Sequence, residues 1–133
     1  MSRKTELRAV ALDHLVLTVA DIDATCVWYG RLLGMRRTTF DRDRTALVFG
    51  REKINLHLAG AELKPHAARP MPGTADLCFI VSRPLPDVIE LLDRENVEIE
   101  HGPVEQTGAL GVMDSVYVRD PDGNLIEIAA YRS

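Results

Sequence analysis

The feature that most limits what this chain can become is a repeated order of elements. A strand, a helix and three further strand candidates fill the first half, and the same order returns about 62 residues later. That offset pairs His14 with Asp76, Val19 with Val81, Gly34 with Asn96 and Met35 with Val97. Identity between the halves is low, so the repeat rests on the pattern of elements. One four-stranded unit cannot cover both faces of its own sheet, so two such units need each other. The fold class expected is α+β, with two tandem βαβββ modules forming a curved mixed sheet around a concave cavity.

The boundaries follow from local signals. Residues 12–19 alternate and then become apolar and β-branched, as a strand does. Asp21 is placed to cap a helix whose buried stripe is Ile22, Cys26, Tyr29 and Leu33, and Gly34 supplies the left-handed stop. Strands are expected at 35–41, 45–49 and 53–58. A connector over 59–73 carries Pro65, Pro70 and Pro72, which discourage helix and central strand alike. In the second half, strands are expected at 75–81, 97–104, 115–119 and 124–130. Ser82 is the expected cap of a helix with Leu85, Val88, Ile89 and Leu92 inward, and Asn96 stands where the stopping glycine would be. Asp120-Pro121-Asp122-Gly123 specifies a tight turn. Module one thus spans about 12–58 and module two about 74–131 of a single domain at 12–131, behind an N-terminal tail of 1–11.

At 133 residues the chain suits one compact domain that needs neither disulfide nor metal to fold. A net charge of −4 argues against a dedicated nucleic-acid binder. No apolar run approaches the roughly 18–20 residues of a membrane span, and the first residues lack the apolar stretch of a signal peptide. Cys26 and Cys78 both sit in apolar surroundings and read as reduced, buried thiols of a cytoplasmic protein. A cluster of Arg36, Arg37, Arg42, Arg44, Arg51 and Lys53 reads first as a solvated strand face and second as a landing patch for an anionic substrate. His66, in the connector, and His101, before Gly102-Pro103, are read as exposed and as a strand end.

Strand parity places the chemistry, because residues two apart share a face. His14 lies opposite the apolar row Leu15, Leu17, Val19, and His57 opposite Ile54, Leu56, Leu58. Asp76 lies opposite Leu77, Phe79, Val81, and Glu127 opposite Ile126, Ile128, Ala130. The four occupy the first and last strands of the two modules. A carboxylate on an inner sheet face is costly unless it is paired or bound to metal. Two imidazoles and two carboxylates make a mixed N/O set suited to Fe(II), Mn, Co, Ni or Zn. The plain alternative is a hydrogen-bonded histidine and a solvated glutamate in unrelated places.

The stretches LDHLVLTVADI (12–22), WYGRLLGM (28–35) and RDPDGNLIEI (119–128), with KINLHLAG (53–60) and PGTADLCFIV (72–81), resemble the vicinal-oxygen-chelate superfamily of glyoxalases, bleomycin-resistance proteins and extradiol dioxygenases. The resemblance implies paired βαβββ modules, a divalent metal in the sheet's cavity, a small-molecule substrate, and often a homodimer whose sites form between chains. Carried over by position, it makes His14, His57, Asp76 and Glu127 the metal ligands and Glu127 the catalytic base. Two positions depart from the pattern: Asp76 stands where His is usual, and His57 where bacterial glyoxalase I has Glu. The activity implied first is that of a metal-dependent lyase or isomerase of glyoxalase I type, on a small oxygenated or thiol-conjugated substrate. An Fe(II) extradiol-type dioxygenase and a non-enzymatic drug or metabolite binder are the alternatives.

Overall fold

The computed structural model describes residues 6–132, so residues 1–5 of the expected tail lie outside the described residues. Module one runs β1 (His14–Val19), α1 (Ile22–Leu33), β2 (Arg36–Phe40), β3 (Arg44–Phe49) and β4 (Glu52–Leu58). Module two runs β5 (Asp76–Ile80), α2 (Leu85–Arg94), β6 (His101–Gly108), β7 (Gly111–Arg119) and β8 (Leu125–Tyr131). Both βαβββ modules are present, and each forms its own open four-stranded sheet, in the orders β1-β4-β3-β2 and β5-β8-β7-β6. In each sheet the first strand runs parallel to the last, and the remaining neighbours are antiparallel. That arrangement leaves β1 and β5 as edge strands.

Helix α1 begins and ends as its sequence dictates. The Asp21 carboxylate accepts the Ala24 N–H at 3.0 Å, and Gly34 takes the left-handed conformation at φ 65° with its N–H donating to the Gly30 carbonyl. Helix α2 departs from expectation at its start. Pro84, not Ser82, occupies the cap position, and no side chain caps the helix. Pro84 presets its own φ, and Pro86 has no N–H to satisfy, so less capping is required there. Asn96 adopts φ 57°, the left-handed role expected of it. Strand β6 starts at His101 rather than 97, because Val97 and Ile99 pack against the core before pairing with β7 begins. Strand β7 extends back to Gly111, where Gly108 and Gly111 face each other across the hairpin end.

One hydrophobic cluster joins the modules. Leu17, Tyr29, Leu47 and Ile54 of the first meet Phe79, Val116, Ile126 and Ile128 of the second. Phe79 sits at the seam, edge-on to Phe49 at 5.5 Å and to Tyr29 at 6.2 Å. A polar knot lies beside it at the β7–β8 turn. Asp120 is buried and accepts hydrogen bonds from the Tyr29 hydroxyl at 2.7 Å, the Asp122 and Asn124 N–H groups and the Asn124 side-chain amide. Asp122 also accepts the Ala20 N–H at 3.0 Å, and Asn124 accepts that of Ala75 at 2.9 Å. The 120–124 turn is therefore also a clasp between modules. No helix among the described residues is long and apolar enough to cross a membrane.

Candidate functional site

The core takes Leu15, Leu17 and Val19 from β1 and Ile54 and Leu56 from β4, which leaves His14, Val16, Thr18, Lys53, Asn55 and His57 on the opposite, open face of sheet one. In sheet two the same division leaves Asp76, Cys78 and Ile80 of β5, Glu127 and Ala129 of β8, and Ser115 and Tyr117 of β7 on the open face. Each expected site residue thus lies on the face its parity assigned.

The four are not gathered within one chain. His14 and His57 belong to one sheet, Asp76 and Glu127 to the other. Among the described residues no three His, Cys, Asp or Glu side chains lie close enough to hold a metal ion. Register adds a second separation. His14 pairs with Lys53, whereas His57 pairs with Thr18. Four residues of parallel strand put the two imidazoles about 13 Å apart along β1, too far to share an ion comfortably. In module two, Asp76 pairs with Leu125, and Glu127 comes two residues on. The equivalent place in module one, two residues past Lys53, is Asn55. Asn55, which the sequence reading passed over, is therefore the counterpart of Glu127, and His57 lies one step beyond it.

The local environments differ. His14 is exposed, and its Nδ1 lies 2.8 Å from the Asp13 carboxylate; with the proton there, Nε2 is the nitrogen left to accept. Asn55 is 4% exposed and His57 6%. The Asn55 Oδ1 and both His57 ring nitrogens meet no protein partner, nor do the Ser115 Oγ and the Glu127 Oε2 across the way. Five of the six orphaned side-chain atoms among the described residues therefore lie on the two open faces, the sixth being Asp122 Oδ2. Buried polar groups are rarely left so, and orphans concentrated on two faces mark those faces as awaiting something polar. Burial, reinforced by the Arg44 charge and opposed by Glu62, lowers the His57 pKa and so favours the neutral ring.

Glu127 stands between Cys78 on β5 and Tyr117 on β7, its register partners on either side. Partial desolvation of its sulfur and the Glu127 charge push the Cys78 thiol up to about 11, and the same two causes raise Tyr117. Cys78 is a free thiol on an edge strand and is exposed, which corrects the expectation that both cysteines are buried; Cys26 is. Tyr117 was also missed, although a signal for it existed. The 120–123 turn fixes Arg119 opposite Leu125, and counting back two places gives Tyr117 opposite Glu127.

Residues of the 59–75 segment form a strap that lines a common cavity with His57. Between this strap and β1 lies a cavity of about 500 Å³. It brings His66, expected only as an exposed connector residue, to the same cavity as His57.

Comparison with known proteins agrees with this architecture. The chain is 53% identical over 120 residues to virulence protein STM3117 of Salmonella typhimurium, covering 90% of this chain and 83% of that protein. A crystal structure of that Salmonella protein superposes with a TM-score of 0.92 at 51% identity, over 95% of this chain and all of the other. Glyoxalase domain-containing protein RDO1 of Mycosarcoma maydis is 45% identical over 130 residues, 98% of this chain and 73% of its own. The fold is shared with lactoylglutathione lyase from Agrobacterium tumefaciens, at a TM-score of 0.70 and 21% identity over 92% and 95% of the two chains. The sequence profile that matches residues 11–128 is the one that, with the paired βαβββ modules, places this chain in the Glyoxalase/Bleomycin resistance protein/Dioxygenase superfamily.

Proposed function

We propose that the protein is a divalent-metal-dependent lyase or isomerase of glyoxalase type, with His14, Asp76 and Glu127 as metal ligands and Asn55 in the fourth-strand place. One observation carries the reading. Asn55 Oδ1 and Glu127 Oε2, at equivalent positions in the two modules, are both acceptors without a donor. Acceptors buried without donors on two sheets suit a cation between them. His57, the remaining expected ligand, enters the proposal as a neutral imidazole facing substrate, because its register sets it away from His14.

The two half-sets meet, in this proposal, across two chains. Strands β1 and β5 are one open edge of each sheet (β2 and β6 being the others), and Leu12, Val16 and Ile80 on or next to them are exposed. Laying β1 of one copy along β5 of another would extend each sheet and cover those side chains, giving a two-fold dimer with two equivalent sites. Charge favours the same pairing. Module two carries twelve carboxylates against three arginines, while module one has seven cations against six carboxylates.

A bound divalent ion would supply Lewis-acid stabilisation of the negative charge that develops on vicinal oxygens. The chain's own residues do the rest. Glu127 removes a carbon-bound proton and returns it to the neighbouring carbon through a carboxylate oxygen that is not holding the ion, with Tyr117 and Cys78 limiting where its carboxylate can swing. The Asp13 carboxylate holds the His14 ring with Nε2 outward. The distance along the sheet between His14 and His57 counts against the two-histidine, one-carboxylate set of the dioxygenase reading.

The test combines mass in solution, metal titration and turnover. A dimer that binds one divalent ion per site, with binding lost in His14→Ala, is expected. Glu127→Gln should lower isomerisation of the thiohemiacetal of a 2-oxoaldehyde by about 10²–10⁴-fold at unchanged circular dichroism. Undiminished turnover in that variant would exclude the role given to Glu127. Metal-free binding of a small molecule with no turnover would favour the non-enzymatic binder.

A further inference from the structure

We infer that the 59–75 strap builds a carboxylate-binding subsite over sheet one, with Arg69 as the residue that recognises the substrate's carboxylate. The inference rests on the proposed function only in setting the reacting end of the substrate beyond His57. The cavity of about 500 Å³ is lined from sheet one by Val16, Leu17, Thr18 and His57, and the strap contributes His66, Arg69 and Met71 as its roof side. That volume lies within the range of small-molecule sites. Pro65, Pro70 and Pro72 fix φ at three places in the strap, so the roof is stiffened before anything binds.

Ordinary packing does not explain this space. His57 is 6% exposed, lines the cavity, and has neither ring nitrogen hydrogen-bonded to protein. An imidazole buried for structural reasons finds a partner, whereas one that serves a ligand keeps its nitrogens for it. The charges around it point to an anion. Among the described residues the Arg69 guanidinium has no ion pair or hydrogen bond with any side chain. Arg44 makes its charge felt at His57. The carboxylate that opposes it there, Glu62, is engaged by the Gly60 N–H. His66 uses Nδ1 on the Ala67 carbonyl at 2.9 Å, which leaves its Nε2 for a second contact.

The anion is a carboxylate rather than a phosphate. No glycine lines the cavity, and Pro65 and Pro70 contribute no N–H, so a cradle of backbone amides is missing. One planar guanidinium matches the two oxygens of a carboxylate. The remaining wall, Val16, Pro70 and Met71, is hydrocarbon and fits a short aliphatic body. The class of ligand is therefore a small aliphatic carboxylic acid, held at the strap by its carboxylate.

Calorimetric titration of the full chain in the presence of a chelator tests this without involving metal. The probes are isovalerate, its neutral isostere isovaleramide, and inorganic phosphate. Isovalerate should bind at least about tenfold more tightly than the amide, the difference one charge-assisted pair makes. Arg69→Ala should weaken isovalerate about tenfold and leave the amide unchanged, and Arg69→Lys should fall between. Arg69 is exposed on the strap, so these variants keep the fold, and circular dichroism checks that they do. The inference is overturned if the amide binds as well as the acid, if Arg69→Ala changes nothing, if phosphate binds more tightly than isovalerate, or if no probe binds. Because the chelator removes any metal, failure of the lyase reading leaves this result standing, and failure here leaves the Glu127 test standing.

Discussion

The two modules share topology and strand order, yet present different chemistry on their open faces. Module one offers His14, Lys53, Asn55 and His57; module two offers Asp76, Cys78, Tyr117 and Glu127. Behind those faces the two are interchangeable in kind, with β-branched and aliphatic side chains packed under a helix. The contrast shows which half of each strand the fold depends on. Alternate residues that enter the core fix the scaffold, and their neighbours on the other face are free to diverge into an imidazole-and-amide set and a carboxylate set. Two such sets are useful only if the modules are held in a fixed relation, and the polar clasp at residues 120–124 provides one.

The sharpest way to break the comparison is to release that clasp. Asp120 alone accepts four hydrogen bonds, one of them from Tyr29 of the other module. Asp120→Ala would strand the Tyr29 hydroxyl and the Asn124 amide groups in a buried place, a loss of about 3–5 kcal/mol. Tyr29→Phe removes one donor and should cost only about 1–2 kcal/mol. Urea unfolding measures both. If Asp120→Ala costs no more than Tyr29→Phe, the turn is merely a turn and the modules are held by the apolar seam around Phe79.

That clasp also marks where the sequence was readable and where it was not. Asp120-Pro121-Asp122-Gly123 is legible as a turn because proline and glycine act locally. Its second role depends on Tyr29, 91 residues away, and no local pattern encodes that distance. The site divides similarly. Parity, a period-two property, placed His14, His57, Asp76 and Glu127 on the correct faces. Register between distant parallel strands is set by long-range pairing, so the substitution of Asn55 for His57 as the partner of Glu127 emerged only from the β1–β4 and β5–β8 ladders. The strap is the other case. Its prolines announce a connector, but nothing in them states which sheet face it crosses.

The helix starts offer a smaller and cleaner contrast. Asp21 caps α1 through its side chain, whereas α2 begins at Pro84 with no side-chain cap. Asp21→Ala should therefore destabilise by about 1 kcal/mol, and Ser82→Ala by close to nothing. Equal losses, measured by urea midpoints, would mean that Ser82 caps α2 in solution after all.

The faintest asymmetry lies in acid. Arg119 holds the Glu100 carboxyl below its ordinary range, and Arg132 does the same for Asp114, both in the second half of the chain. A carboxyl whose pKa is lower in the folded than in the unfolded chain adds stability that is fully present above the ordinary carboxylate range, about pH 4–4.5. That contribution fades as pH falls through the depressed folded value, because the folded group must then take the proton it resisted. Arg119→Met removes the shift at Glu100, so its stability should decline less steeply than that of the wild type below about pH 4.5. Both carboxylates lie at the surface and are partly exposed, so the difference should be small and should shrink further in high salt, where surface pairs are screened. Parallel acid limbs for the two proteins at low salt would show that the Arg119–Glu100 pair, 2.9 Å apart in the folded chain, adds nothing to stability in solution.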